Sequence, residues 1–275
     1  MNGIVINIDP VAFHLGPFHI HWYGLMIAVA AIVGVLITVR VAEKKGIAAD
    51  HISYFILWAV LGGIVGARLF HVVDYWEFYM ANPMQIVGGS GLALYGALAG
   101  GIVAAVIYAR IRHLPLRRAA DSLAPGLLVG LMIGRIGCII NGDSYGAVTD
   151  LPWAFIYTHP GAMLPRELLG QPTHPYPAYE IIWNAMALLV IWRLSRWFKQ
   201  DGMVFLSFLS LYSAGRFILM FVREQRVWLW GLQQAQIMAL LVLVVSLVLI
   251  IHSVWKRPLG LVPSSGVSHV PSRGV

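Results

Sequence analysis

The chain has 275 residues, of which 59% are hydrophobic and only 11% charged, and its mean hydropathy is +0.76. Such values belong to integral membrane proteins and exclude an ordinary soluble domain. The formal net charge of +7 would suggest nucleic acid in a soluble chain, but here the positive residues fall between apolar stretches, so no nucleic-acid partner is expected.

Along the chain, Asp9 and the lack of Lys or Arg before Arg40 leave no basic region of the kind that opens a cleaved signal peptide. The first apolar segment is therefore expected to stay. Seven segments, near 20–40, 52–74, 91–111, 119–140, 177–197, 203–223 and 233–254, are each about as long as a hydrocarbon layer is thick. The chain is predicted to be an all-α polytopic membrane protein with seven transmembrane helices. Residues 1–257 would form one membrane domain, with an outward-facing loop region at about 141–176, and 258–275 a disordered cytoplasmic tail.

Basic patches alternate with these segments: Arg40, Lys44 and Lys45; Arg110, Arg112, Arg117 and Arg118; Arg193, Arg196 and Lys199; Lys256, Arg257 and Arg273. They account for most of the 19 lysines and arginines, whereas the opposite loops carry Arg166, Arg223 and Arg226. The positive-inside rule then predicts the N-terminus outside and the C-terminus in the cytoplasm. Trp22, Tyr75, Trp76, Trp153, Trp228 and Trp230 suit the headgroup region. Gly126, Gly130 and Gly134 in the fourth segment, with Gly96 and Gly100 in the third, suit close backbone packing.

Three arginines stand inside apolar runs: Arg68, Arg135 and Arg216. Each falls near the outer end of its segment, at a common depth of roughly 9 Å. Tyr23, Tyr95, Glu180 and Gln236 fall near the same level on the remaining segments. Arginine is costly in a membrane, keeps its charge, and pairs with phosphate through two hydrogen bonds, so this layer points to an anionic phospholipid headgroup. Snorkelling to the headgroups or pairing with a structural carboxylate is the competing reading for any one of them. An anion channel or transporter would need polar groups continuing toward the cytoplasm, where the third, sixth and seventh segments are nearly bare. Cys138, the only cysteine, rules out an intrachain disulfide and reads as a packing group; the ten histidines show no ligand spacing, so no metal and no cofactor is expected.

The run "GRIGCIINGDSYG" (134–146) resembles the signature of the bacterial prolipoprotein diacylglyceryl transferases, Gly-Arg-x-Gly-Asn-Phe-x-Asn-Gly-Glu-x-x-Gly. Gly134, Arg135, Gly137, Asn141, Gly142 and Gly146 match it, with Cys138 in place of Asn and Asp143 in place of Glu. "HWYGLM" (21–26), "GARLF" (66–70), Asp121 with Pro125, "HPYPAYE" (174–180) against His-Pro-Ser-Gln-Leu-Tyr-Glu, and "GRFILMFVR" (215–223) extend the likeness over nearly the whole chain. Two positions depart from the pattern: Tyr95 stands where a His is usual, and Met220 where a Glu follows the sixth-span arginine by four residues.

The resemblance implies a multi-pass enzyme of the bacterial cytoplasmic (inner) membrane. It would move the diacylglyceryl group of phosphatidylglycerol onto the lipobox cysteine in the signal peptide of a preprolipoprotein, releasing glycerol phosphate. Membrane lipids would be its other partners. A non-catalytic phospholipid-binding relative is the alternative. Arg135, Arg216, Tyr95 and Asp143 are the expected catalytic residues. Tyr23, Arg68, Asn141, Gly142, Gly146, His174 and Glu180 are expected to bind substrate. The base for the substrate thiol is open among Asp143, Glu180 and His174, and Glu180 is also a partner for an arginine.

Overall fold

The structure is a computed structural model that describes residues 3–88, 91–198, 200–223 and 227–256. Lys199, Arg226, Arg257, Arg273 and the expected tail lie outside the described residues. Each long apolar run becomes one helix: α1 (Trp22–Lys44), α2 (Ala49–Asp74), α5 (Leu94–Ile111), α6 (Leu116–Asn141), α7 (Tyr176–Leu194), α8 (Met203–Leu219, continued by a 3-10 turn, Met220–Val222) and α9 (Gln234–Lys256). Between α2 and α5 lie two short helices, α3 (Trp76–Ala81) and α4 (Gln85–Gly88).

Among the described residues, six helices are long and apolar enough to cross a membrane. The 19-residue α7 is outside that set, its sequence being interrupted by Glu180, Asn184 and Arg193. Large apolar side chains such as Leu57, Trp58, Leu61, Ile64 and Leu69 of α2 face outward, while Asp121, Asn184, Ser207, Ser213, Gln236 and Ser246 are buried. That inversion of the soluble pattern is what a hydrocarbon solvent favours, since only polar groups need company inside the bundle.

The fold is mostly helical, in line with the expected class, but it also carries short strands that the sequence did not lead one to expect. A three-stranded sheet joins β1 (Ile4–Ile6), β4 (Phe155–Tyr157) and β5 (Pro172–Thr173), with β4 parallel to β1 and antiparallel to β5. Two small hairpins, β2–β3 (Val11–Leu15, Phe18–His21) and β6–β7 (Val227–Leu229, Leu232–Gln233), precede α1 and α9. The long connection after α6 leaves the helix ladder, and its backbone groups must find partners elsewhere; pairing with the N-terminal strand supplies them. Ile6, Phe155, Tyr157 and Leu164 form a small core under this sheet.

The helices pack largely as neighbours in pairs, α2 with α5, α1 with α6 and α8 with α9, while α7 bridges α6 and α8. The sheets gather at the end where α2, α6 and α8 finish, here called the sheet end. At the opposite end α1, α2, α5 and α6 share a core of Ala42, Ile52, Phe55, Tyr108 and Ala119. There Asp121 of α6 accepts backbone hydrogen bonds from Gly202 and Phe205, both at 2.8 Å, and lies 3.4 Å from Lys45 Nζ. A buried carboxylate thus satisfies donors that the start of α8 would otherwise leave without partners.

Candidate active site

Three helices converge on one carboxylate at the sheet end. Glu180, one turn into α7 and 5% exposed, lies between Arg135 of α6 and Arg216 of α8. Its Oε2 is 2.5 Å from Arg135 Nε, and its Oε1 accepts a 3.0 Å hydrogen bond from Arg216 Nη1. The register of α7 against α8 is fixed next to this contact. Trp183 Nε1 donates to the Leu211 carbonyl at 2.8 Å, and the indole lies against Gly215, where a Cβ would come within 2.1 Å of it. Glycine before Arg216 is therefore what allows α8 close enough to α7 for the ion pair.

Tyr176, fully buried in the first turn of α7, completes the cluster. Its hydroxyl accepts from Arg216 Nη1 and donates to Glu180 Oε1, both at 3.1 Å. Arg223 and Arg135 stack over its ring at 5.3 and 6.0 Å. Sequence reading passed over Tyr176, Arg223 and Ser144. The available signal for Tyr176 was its position four residues before Glu180, which puts both side chains on one helix face.

The loop after α6 sets the other wall. Gly142, at φ +74°, ends the helix in the left-handed region, with its N–H on the Cys138 carbonyl at 2.9 Å. The chain then turns back so that Ser144, buried, accepts a 3.2 Å hydrogen bond from Arg135 Nη1; Cys138 Sγ takes the same donor at 3.6 Å. Further along, Gly146 N–H bonds the His174 carbonyl at 3.1 Å and Ala147 N–H the Val222 carbonyl at 2.9 Å. A Cβ on Gly146 would lie 2.6 Å from His174 Cβ, so only glycine fits this seam. The loop is thereby tied to the ends of both helices that carry Glu180 and Arg216.

Asn141, 3% exposed, donates to Met163 Sδ at 3.1 Å, and its buried Oδ1 has no hydrogen-bond partner among the described residues. It lines a groove of about 550 Å3 together with His19, His21, Tyr23, Leu25 and Met163. Tyr23 reaches this groove because α1 passes closely over Gly137. Asp143 Oδ1 and Tyr157 Oη are also buried without a hydrogen-bond partner among the described residues. Burial, with Asp143 nearby, pushes the Tyr157 phenol well above its ordinary pKa, so it stays protonated at neutral pH.

The remaining sequence-derived residues lie apart from Glu180. Arg68 donates through Nε to the Ile86 carbonyl at 2.7 Å and through Nη1 to the Gly91 carbonyl at 3.0 Å, and also bonds the Gln85 carbonyl. It organises the connection between α4 and α5. Tyr95, 40% exposed, lies in the first turn of α5. His174 lies 3.3 Å from Tyr179 Oη, which accepts from Trp153 Nε1 at 2.9 Å.

Residues 10–252 match the family model described as prolipoprotein diacylglyceryl transferase. The chain belongs to the prolipoprotein diacylglyceryl transferase family. Among similar curated proteins is the phosphatidylglycerol–prolipoprotein diacylglyceryl transferase of Dehalococcoides mccartyi, 37% identical over 253 residues, which covers 92% of this chain and 96% of that one. Proteins of the same name from Lysinibacillus sphaericus (35% over 258 residues, 92% and 94% covered) and Clostridioides difficile (34% over 236 residues, 85% and 91% covered) agree. Within this prolipoprotein diacylglyceryl transferase chain, the signature's Arg135 and Asn141 face, respectively, the Glu180 cluster and the groove, and Gly142 ends the helix that carries both.

Proposed function

We propose that this chain transfers the diacylglyceryl group of phosphatidylglycerol to the lipobox cysteine of preprolipoproteins. The carrying observation is the meeting of Arg135 and Arg216 on Glu180 at 2.5 and 3.0 Å. Two guanidiniums against one carboxylate leave net positive charge, and Arg223 adds to it. Among the described residues Arg135 Nη2 and Arg216 Nε and Nη2 carry no hydrogen bond, which supports their use on a phosphodiester.

The substrate thiolate attacks the glyceryl carbon and the phosphate oxygen leaves with the bonding electrons, forming a thioether and glycerol phosphate. Charge builds on the phosphate as the carbon–oxygen bond breaks, and donors already held in place stabilise that charge without reorganising. Asp143 takes the thiol proton in this reading. Glu180 is ion-paired to Arg135 and Arg216 and accepts from Tyr176, and His174 lies against Tyr179, whereas Asp143 forms no ion pair among the described residues. Tyr23 and Asn141 hold the glycerol headgroup at the groove, Gly142 and Gly146 shape the loop, and Arg68 and Tyr95 border the lipid from the α2–α5 side.

The same reading takes α7 as a seventh span in a membrane domain reaching residue 257. It sets the sheet end outside, with residues 141–176 as its cap, the C-terminus in the cytoplasm, and the whole in the bacterial inner membrane. The test is direct: purified protein is incubated with phosphatidylglycerol and a lipobox peptide. Mass spectrometry is expected to show a peptide heavier by the diacylglyceryl group. Lipid binding with no adduct would instead make the chain a non-catalytic phospholipid-binding member of its family.

A further inference from the structure

Tyr176 occupies a place in the cluster that its neighbours make unusual. Its hydroxyl is within hydrogen-bond distance of three groups at once: Arg216 Nη1 and Glu180 Oε1, both at 3.1 Å, and Met220 Sδ at 3.4 Å. A phenol has one proton to give, and a carboxylate accepts it far better than a thioether. The oxygen accepts from Arg216, donates to Glu180, and leaves Met220 as apolar packing. Tyr176 and Met220 are both completely buried, so neither solvent nor another side chain can readily replace this bridge.

These two residues also stand where the family pattern quoted above has Ser and Glu. A Glu at 220 would place a second carboxylate next to Arg216 and a Ser at 176 would leave room for it. In this chain a large phenol fills that room, and the residue facing it has no charge. Set against that pattern, the chain is larger at 176 and uncharged at 220.

We infer that the Tyr176 hydroxyl is a positioning group for the proposed transfer, substituting for the missing carboxylate at 220 by bridging Arg216 to Glu180 so that the outer edges of both arginines stay open to phosphate. Arg216 is then held by one carboxylate and one neutral oxygen instead of two carboxylates. The guanidinium keeps more of its field for the substrate, and its direction depends on a group four residues upstream of Glu180 on the same helix.

The inference rests on the transferase reading for its main readout, which is the initial rate of adduct formation by the full chain in phosphatidylglycerol nanodiscs. Tyr176→Phe keeps the ring under Arg135 and Arg223 and removes only the oxygen. It is expected to slow transfer by about ten- to a hundredfold, the value of a hydrogen bond to a charged group. Tyr176→Ser is expected to be slower still, and Tyr176→Ser combined with Met220→Glu to regain most of that loss. A purely structural role for the tyrosine would not produce this rescue. A Phe variant within about twofold of the parent, or a double variant no faster than Tyr176→Ser, overturns the inference. If the Phe variant does not accumulate, the double variant decides alone. An active parent with an unimpaired Phe variant defeats this inference and leaves the function standing. A parent that makes no adduct defeats the function, and phosphatidylglycerol binding by the parent and by Tyr176→Phe, followed by native mass spectrometry, then decides the inference: weaker binding by the variant supports it and equal binding overturns it.

Discussion

At the scale of single residues, the site is a contest over where two guanidiniums point. Arg135 and Arg216 are each held on one edge by Glu180, and their side chains are 19% and 24% exposed. Removing either donor set from a developing phosphate charge is expected to cost about a hundred- to a thousandfold in turnover. Arg135→Ala and Arg216→Ala should each do so while the protein still accumulates in membranes, as measured by adduct formation per mole of detergent-extracted protein. Lysine should not restore Arg135, because a single ammonium cannot span Glu180 and Ser144 as the planar fork does. Asp143 differs in kind. Its Oδ1 has no hydrogen-bond partner among the described residues and asparagine keeps its shape, so Asp143→Asn should leave the melting temperature near that of the parent and lower the rate by about a hundred- to ten-thousandfold, the usual worth of a positioned base. Equal rates for parent and Asn variant would pass the proton to another group.

Among elements, the decisive quantity is how near two helix backbones approach. Along the α1–α6 contact the space at successive glycines opens: a Cβ on Gly126 would lie 2.4 Å from the Gly34 carbonyl oxygen, on Gly130 3.3 Å from that of Ala30, and on Gly134 3.7 Å from the end of Ile27. Gly126→Ala must push backbone from backbone and is expected to destabilise by about 1–3 kcal/mol. Gly134→Ala meets ordinary contact and gains helix propensity worth up to about 1 kcal/mol. Thermal unfolding in detergent should therefore order the variants with Gly134→Ala at or above the parent and Gly126→Ala below it. Sequence spacing alone treats these glycines as equivalent. The long helices were legible for a simple reason: a run of about 20 apolar residues has one stable state in a bilayer. The strands were not, because Ile4–Ile6 and Phe155–Tyr157 are three residues each and distant in sequence, so no alternation develops and the pairing is set by tertiary contact. The same limit hid Tyr176, whose partner Arg216 is 40 residues away, and Ser144, whose role depends on the turn at Gly142. Arg135, Arg216 and Glu180 were readable because a charge inside an apolar run demands an explanation wherever its partner lies.

For the molecule as a whole, charge and polarity separate along the bundle axis. Arg40, Lys44 and Lys45 near the end of α1, Arg110 and Arg112 at the end of α5, Arg117 and Arg118 at the start of α6, and Arg193 and Arg196 at the end of α7 all lie at the end opposite the sheets. Some are anchored there, Lys45 near Asp121 and Arg118 on Asp201 at 3.0 Å. The small sheets, the groove and the Glu180 cluster occupy the other end. In the orientation proposed above, retention of Lys and Arg in the cytoplasm during insertion would fix the direction of every helix at once, and with it the leaflet from which lipid would be taken, because the arginine layer belongs to the sheet end. This can be read in intact cells. In a Cys138→Ser background, Asp150→Cys, exposed in the cap, is expected to react with a membrane-impermeant maleimide, whereas Arg112→Cys, exposed at the basic end, is expected to react only after the membrane is opened. The reverse pattern would place the guanidiniums in the inner leaflet, away from a secreted substrate, and the transfer chemistry would lose its access to the lipobox thiol.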